Sequence, residues 1–133
     1  MKLTLKGSLD TNIILRWVLG DIPEQTAKTD LLINSGKPLR VSLLVIAEVV
    51  YILEATGFSR LQIQATIERL AGQQNLYLNR YVVVPAVRLY VKNNSISFVD
   101  ACLVYDSSES GAVPLYTFDK KLANKSPQTI KLL

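Results

Sequence analysis

Apolar and polar residues recur along the 133-residue chain with two different periods, and the period switches at residues that start and stop helices. "KLTLK" (2–6) alternates with period two, sets Leu3 and Leu5 on one face, and predicts a first strand running to about Leu9. After Asp10, "TNIILRWVL" predicts a short helix ending near Gly20. "IPEQTAKTDLLINSG" (22–36) has the Pro-Glu start and Gly stop of a second helix. "PLRVS" (38–42) predicts a short strand whose last residue, Ser42, caps an apolar helix over 43–55 stopped by Gly57. Ser59 caps the next helix, where Ile63, Ile67 and Leu70 recur at helical spacing before Gly72.

In "NLYLNRYVVVPAVRLYVKNN" (75–94), Ala86, Leu89 and Tyr90 keep helical spacing, which predicts a helix from about 80 to 93 with Pro85 near its start. Ser97 caps "FVDACLVYDSSES", a helix ending at Gly111; "AVPLYTF" is then a strand, "DKKLANK" a short helix and "TIKLL" a last strand. Strands interleaved with helices imply parallel crossovers, hence an α/β fold with a mostly parallel sheet covered on both faces. No repeat or linker interrupts the pattern, so residues 1–133 are expected to form a single domain. Sites on such sheets form beyond the carboxyl ends of the strands. Asp10 and Asp119 each follow a predicted strand, so the same rule expects them side by side.

Composition removes whole classes of chemistry. The chain has no histidine and one cysteine, Cys102. That excludes Ser-His and Cys-His nucleophiles, the two-histidine type of ribonuclease, the usual zinc sites and any intramolecular disulfide. The longest apolar run, "VSLLVIAEVVYIL" (41–53), contains Glu48 and falls short of the roughly 20 residues a membrane span needs. The N-terminus lacks the apolar core of a signal peptide, so a cytoplasmic protein with no membrane partner is expected. A net charge of +4 permits an anionic partner such as nucleic acid. Lys28, Lys37, Arg60 and Arg69 read as solvated helix faces, Trp17 and Tyr51 as core or interface residues, and Cys102 as a small buried hydrophobe.

Catalysis then falls to carboxylates, hydroxyls, lysines or a hard metal. Seven of the eleven acidic residues stand in polar or helix-end surroundings. The other four interrupt apolar runs: Asp10 in "SLDTNIIL", Glu48 in "LVIAEVVYIL", Asp100 in "ISFVDACLVY" and Asp119 in "LYTFDKKL". Helix capping explains Asp10 and Asp119 equally well. Glu48 and Asp100 are expected in helix interiors, where a carboxylate among apolar neighbours must be paired, protonated or metal-bound. Two carboxylates from strand ends and two from helix faces suffice for an acidic pocket that Mg²⁺ or Mn²⁺ would fill, which is phosphodiester hydrolysis without histidine.

At these residues the sequence resembles the PIN-domain nucleases and, within them, the VapC-like toxins of toxin–antitoxin pairs. The resemblance rests on "LDTNIIL", "SLLVIAEVVYIL", "ISFVDACL" and "LYTFDKKL", in that order along nearly the whole chain. It implies a three-layer α/β/α sandwich on a central parallel sheet, Mg²⁺- or Mn²⁺-dependent endoribonuclease activity on an RNA substrate, a cognate antitoxin and a homodimer. Asp10, Glu48, Asp100 and Asp119 match the family's acidic quartet, with Asp10 and Asp100 at the positions most often assigned as metal ligands. Asn12 and Thr117 match the polar positions beside the first and last acids. Arg16, Lys120 and Lys121 stand close enough in sequence to Asp10 and Asp119 to position RNA phosphates. The rival readings are a non-catalytic PIN-like module acting through an antitoxin or nucleic acid, and a nuclease acting on DNA.

Overall fold

The structure, a computed structural model, describes residues 3–133. Among them stand seven helices and four short strands in two compact units, residues 3–79 and 80–133. The class is α/β, mostly helical, with one pair of parallel strands in each unit.

The first unit begins with an extended segment in place of the expected first strand. Lys2, where that strand was to begin, lies outside the described residues. From Lys6 the segment runs parallel to β1 (Leu39–Arg40): Lys6 N–H donates to Pro38 O, Arg40 N–H to Gly7 O and Leu9 N–H to Arg40 O. Only Ser8 forms a regular bridge, and Leu3 and Leu5 are exposed, so period two alone did not make a strand. Gly7 lets the segment approach closely, because a Cβ there would come within 3.2 Å of Leu39 Cδ2 and that side chain would have to give way by a few tenths of an ångström.

Helix α1 (Thr11–Leu19) ends on Gly20, whose φ of +60° is the left-handed cap geometry that glycine adopts without strain. That turn leads within a few residues into α2 (Pro23–Ile33), which opens on Pro23 and packs against α1. The Thr26 hydroxyl donates to Arg16 O, tying the first turn of α2 to the last turn of α1. Helix α3 (Leu43–Ala55) starts at the Ser42 cap and turns Ile46, Val49, Val50 and Leu53 into the core. Helix α4 (Arg60–Ala71) opens with a full capping box: Gln62 N–H donates to Ser59 Oγ, and Ser59 N–H to Gln62 Oε1. Strand β2 (Leu76–Tyr77), which the sequence pattern did not predict, pairs in parallel with β1. Asn75 holds the loop before it by donating to Ile33 O and Lys37 O.

In the second unit, α5 (Arg80–Lys92) packs along α6 (Phe98–Glu109), and the Tyr90 and Phe98 rings meet edge to face at 5.8 Å. Pro85 sits inside α5, deeper than the first turn where a proline is tolerated. The carbonyl it leaves without a helical donor belongs to Tyr81, an exposed residue of the first turn. Strand β3 (Leu115–Thr117) pairs in parallel with β4 (Ile130–Leu132), and α7 (Lys120–Ala123) connects them and packs on both.

Candidate active-site residues

Asp10 follows the extended segment at the point where Leu9 pairs with Arg40, and it is the N-cap of α1. Its Oδ1 accepts from Ile13 N–H at 3.0 Å. The capping role is therefore real, and it occupies one oxygen while Oδ2 keeps no protein partner among the described residues. Asp10 lines a cavity of about 510 Å³ together with Asn12, Ile13, Arg16, Gln25, Lys28, Thr29 and Leu32. Three of the sequence candidates, Asp10, Asn12 and Arg16, thus share one concavity between α1 and α2. Arg16 holds Asp21 through Nη1 at 3.1 Å, while its Nε is buried with no hydrogen-bond partner.

Glu48 is not the buried carboxylate its sequence surroundings suggested. It is exposed on α3, on the face that also carries Leu44 (83% exposed) and Tyr51 (73% exposed). The continuous apolar run around it concealed a two-sided helix, because Leu44, Glu48 and Tyr51 follow helical spacing away from the core face. Tyr51 is accordingly no core residue. Asp100 is not in a helix interior either. It is the third residue of α6, half-buried, and its N–H donates to the capping Ser97 Oγ at 3.1 Å. A carboxylate in that first turn is favoured by the positive end of the helix dipole.

Asp119 is the N-cap of α7, with Oδ1 accepting from Lys121 N–H at 2.9 Å and Leu122 N–H at 3.2 Å. Thr117 acts on the same residue through the main chain: Asp119 N–H donates to Thr117 Oγ1 at 3.0 Å. Lys120 and Lys121 form the exposed start of α7. Asp10 and Glu48 lie in the first unit, Asp100 and Asp119 in the second. Among the described residues, no group of three or more Asp, Glu, Cys or His side chains stands close enough to hold a metal ion.

The chemistry of the donors nevertheless suits a hard divalent cation. All four are carboxylates, and Asp10 and Asp119 each retain one oxygen outside their caps. Cys102 offers no alternative nucleophile. Burial, reinforced by the charge of Asp106, pushes its thiol up to about 12, so it stays protonated and inert at neutral pH.

Two basic residues read from the sequence as solvated faces have specific contacts. Lys28 lines the cavity beside Asp10, and the Arg69 guanidinium lies 4.1 Å over the Trp17 ring, shielding the mostly buried indole. The cavity's second cation was beyond sequence reasoning, since Lys28 and Arg16 are twelve residues apart on different helices.

A family model of the PIN domain matches residues 8–126. This chain belongs to the PIN-domain family. The matched region contains all four acids and runs through most of both units of this PIN domain. PIN domains are generally nucleases and typically work with Mg²⁺ or Mn²⁺, so the chain carries a nuclease-type fold. Among curated proteins, none matches this PIN domain significantly.

Proposed function

We propose that this PIN domain is a metal-dependent endoribonuclease acting as the toxin of a toxin–antitoxin pair. The observation that carries the reading is the family match, which spans residues 8–126 and takes in Asp10, Glu48, Asp100 and Asp119 in chains of apolar residues. Residues 1–133 would act as one domain, with the three-layer α/β/α arrangement of the family. The absence of histidine agrees with it, because hydrolysis by carboxylates and a hard cation requires no imidazole.

In this reading Asp10 and Asp100 hold Mg²⁺ or Mn²⁺, and Glu48 and Asp119 complete its shell or orient the attacking water. The cation, when bound, supplies Lewis acidity and offsets phosphate charge. The caps define what the protein contributes. Ile13 N–H fixes the rotation of the Asp10 carboxylate, and the Lys121 and Leu122 N–H groups fix that of Asp119, so each presents its remaining oxygen in a set direction. Thr117 steadies the Asp119 main chain from behind, and Asn12 stands beside Asp10 as a polar support for carboxylate or water. Arg16, Lys120 and Lys121 would place RNA phosphates. The toxin role, the cognate antitoxin and the homodimer are what the resemblance of the four motifs to VapC-like proteins implies, and the cytoplasmic setting is the one a lone cysteine suits.

The test is cleavage of total cellular RNA by the purified protein with Mn²⁺, beside EDTA and an Asp100→Asn variant of unchanged circular dichroism. Discrete fragments that disappear in both controls are expected. A folded protein that cuts nothing under any of these conditions would replace the nuclease with a non-catalytic binding module, and cutting of DNA alone would replace the substrate.

A further inference from the structure

We propose that the cavity between α1 and α2 is a phosphate subsite for single-stranded RNA, with Lys28 and Arg16 as its cations. The inference rests on the nuclease reading for the identity of the strand, and on the cavity itself for the site.

At about 510 Å³ the cavity falls within the range that takes small ligands. Its lining is divided by chemistry. Ile13 and Leu32 supply apolar wall, Asn12 and Gln25 supply amides, and Arg16 and Lys28 supply positive charge. Asn12, Gln25 and Lys28 are exposed, so the cavity opens to solvent and suits a strand that passes through it better than a ligand sealed inside.

Arg16 carries the more specific signal. Asp21 engages Nη1, leaving Nε buried and without a hydrogen-bond partner. A buried guanidinium donor left unmade costs free energy, which favours a shift of the Arg16 side chain toward an acceptor that enters the cavity. The existing Arg16–Asp21 pair does not fill this need, because it reaches a different nitrogen. Lys28 has no ion pair of its own among the described residues, so its charge is available to a ligand. Asp10 lines the same cavity and disfavours an anion there, and Asp21 already offsets Arg16, so Lys28 is the cation whose charge is free to meet a phosphate. A phosphate held by Lys28 would thereby be delivered next to a candidate metal-binding acid.

Fluorescence anisotropy of a labelled single-stranded RNA 12-mer, titrated in EDTA over a series of salt concentrations, tests this without any cutting. Lys28→Ala should weaken binding about fivefold at low salt and flatten the log–log salt slope by about 0.7, the value of one phosphate contact on a single strand. Lys28→Arg should restore both, and Lys37→Ala, a lysine of the same unit away from the cavity, should change neither. Lys28 is exposed on a helix that alanine favours, so the variant keeps its fold. An unchanged slope in Lys28→Ala, or no RNA binding by the wild-type protein, overturns the subsite. The two readings fail separately. RNA cleavage with Mn²⁺ alongside a silent Lys28→Ala removes the subsite alone, while Lys28-dependent binding without cleavage removes the nuclease and leaves the subsite.

Discussion

Asp10 shows why a single acidic residue cannot be assigned from its neighbours in sequence. From the sequence, capping and metal binding are competing explanations for this residue, yet the geometry makes them compatible: Oδ1 takes the Ile13 N–H and Oδ2 remains. The two functions can be separated by substitution. Asn caps a helix about as well as Asp, whereas Ala removes the cap at a cost of about 1 kcal/mol. Asp10→Asn should therefore unfold at the wild-type denaturant midpoint and be inactive as a nuclease. Asp10→Ala should be equally inactive and less stable by about 1 kcal/mol. Equal destabilisation of both variants in urea titrations would show that the charge, and not the cap, holds α1. An active Asp10→Asn would remove Asp10 from the chemistry.

Helices were the part of the fold most open to sequence reading, because their ends are written in local chemistry. Ser42, Ser59 and Ser97 each accept the N–H three residues on, and all three were legible as caps. The strands were less legible. β1 and β2 have two residues each, too few for alternation to register, and β2 hides in "NLYL", whose pairing depends on Arg40 and Leu39 far away in sequence. The N-terminal segment had the alternation but pairs regularly only at Ser8. Side-chain placement on long elements was the other gap. Hydropathy around Glu48 is uniform, and which face of α3 is covered depends on its neighbours α1 and α4. The site followed the same division: the four acids were visible in their motifs, while the cavity, which joins two helices, was not. At this scale Ser97 offers the cleanest prediction. Its Oγ fixes the amide of Asp100, the candidate ligand three residues away. Ser97→Ala should lower stability by about 1 kcal/mol and, by loosening the first turn of α6, also weaken Mn²⁺ dependence of cleavage. Ser97→Asp, which keeps a capping oxygen, should recover the stability; a Ser97→Ala protein with unchanged Mn²⁺ half-saturation would limit Ser97 to a cap.

For the molecule as a whole, the decisive quantity is linkage between metal and folding. A cation that binds the folded chain and not the unfolded one adds RT ln(1 + [M]/Kd), about 2.7 kcal/mol at a hundredfold excess over Kd. If Asp10, Glu48, Asp100 and Asp119 act together, Mn²⁺ should raise the thermal midpoint of the wild-type protein. Asp10→Asn and Asp100→Asn should each lose most of that rise; in EDTA Asp10→Asn should match the wild type, and Asp100→Asn should fall below it by about 0.5 kcal/mol, the loss of its helix-dipole interaction. The pairing of these two variants matters because they come from different units. A set of four predicts that a change in either unit abolishes the response. Loss in Asp100→Asn alone would instead assign the cation to acids of the second unit, and Asp10 would keep only its cap and its place on the α1–α2 cavity. Ca²⁺ is the necessary control: it binds oxygen ligands at longer distances and with looser geometry than Mg²⁺. An equal midpoint shift with Ca²⁺ would therefore point to general charge neutralisation by exposed carboxylates, since a built site discriminates between cations of different size.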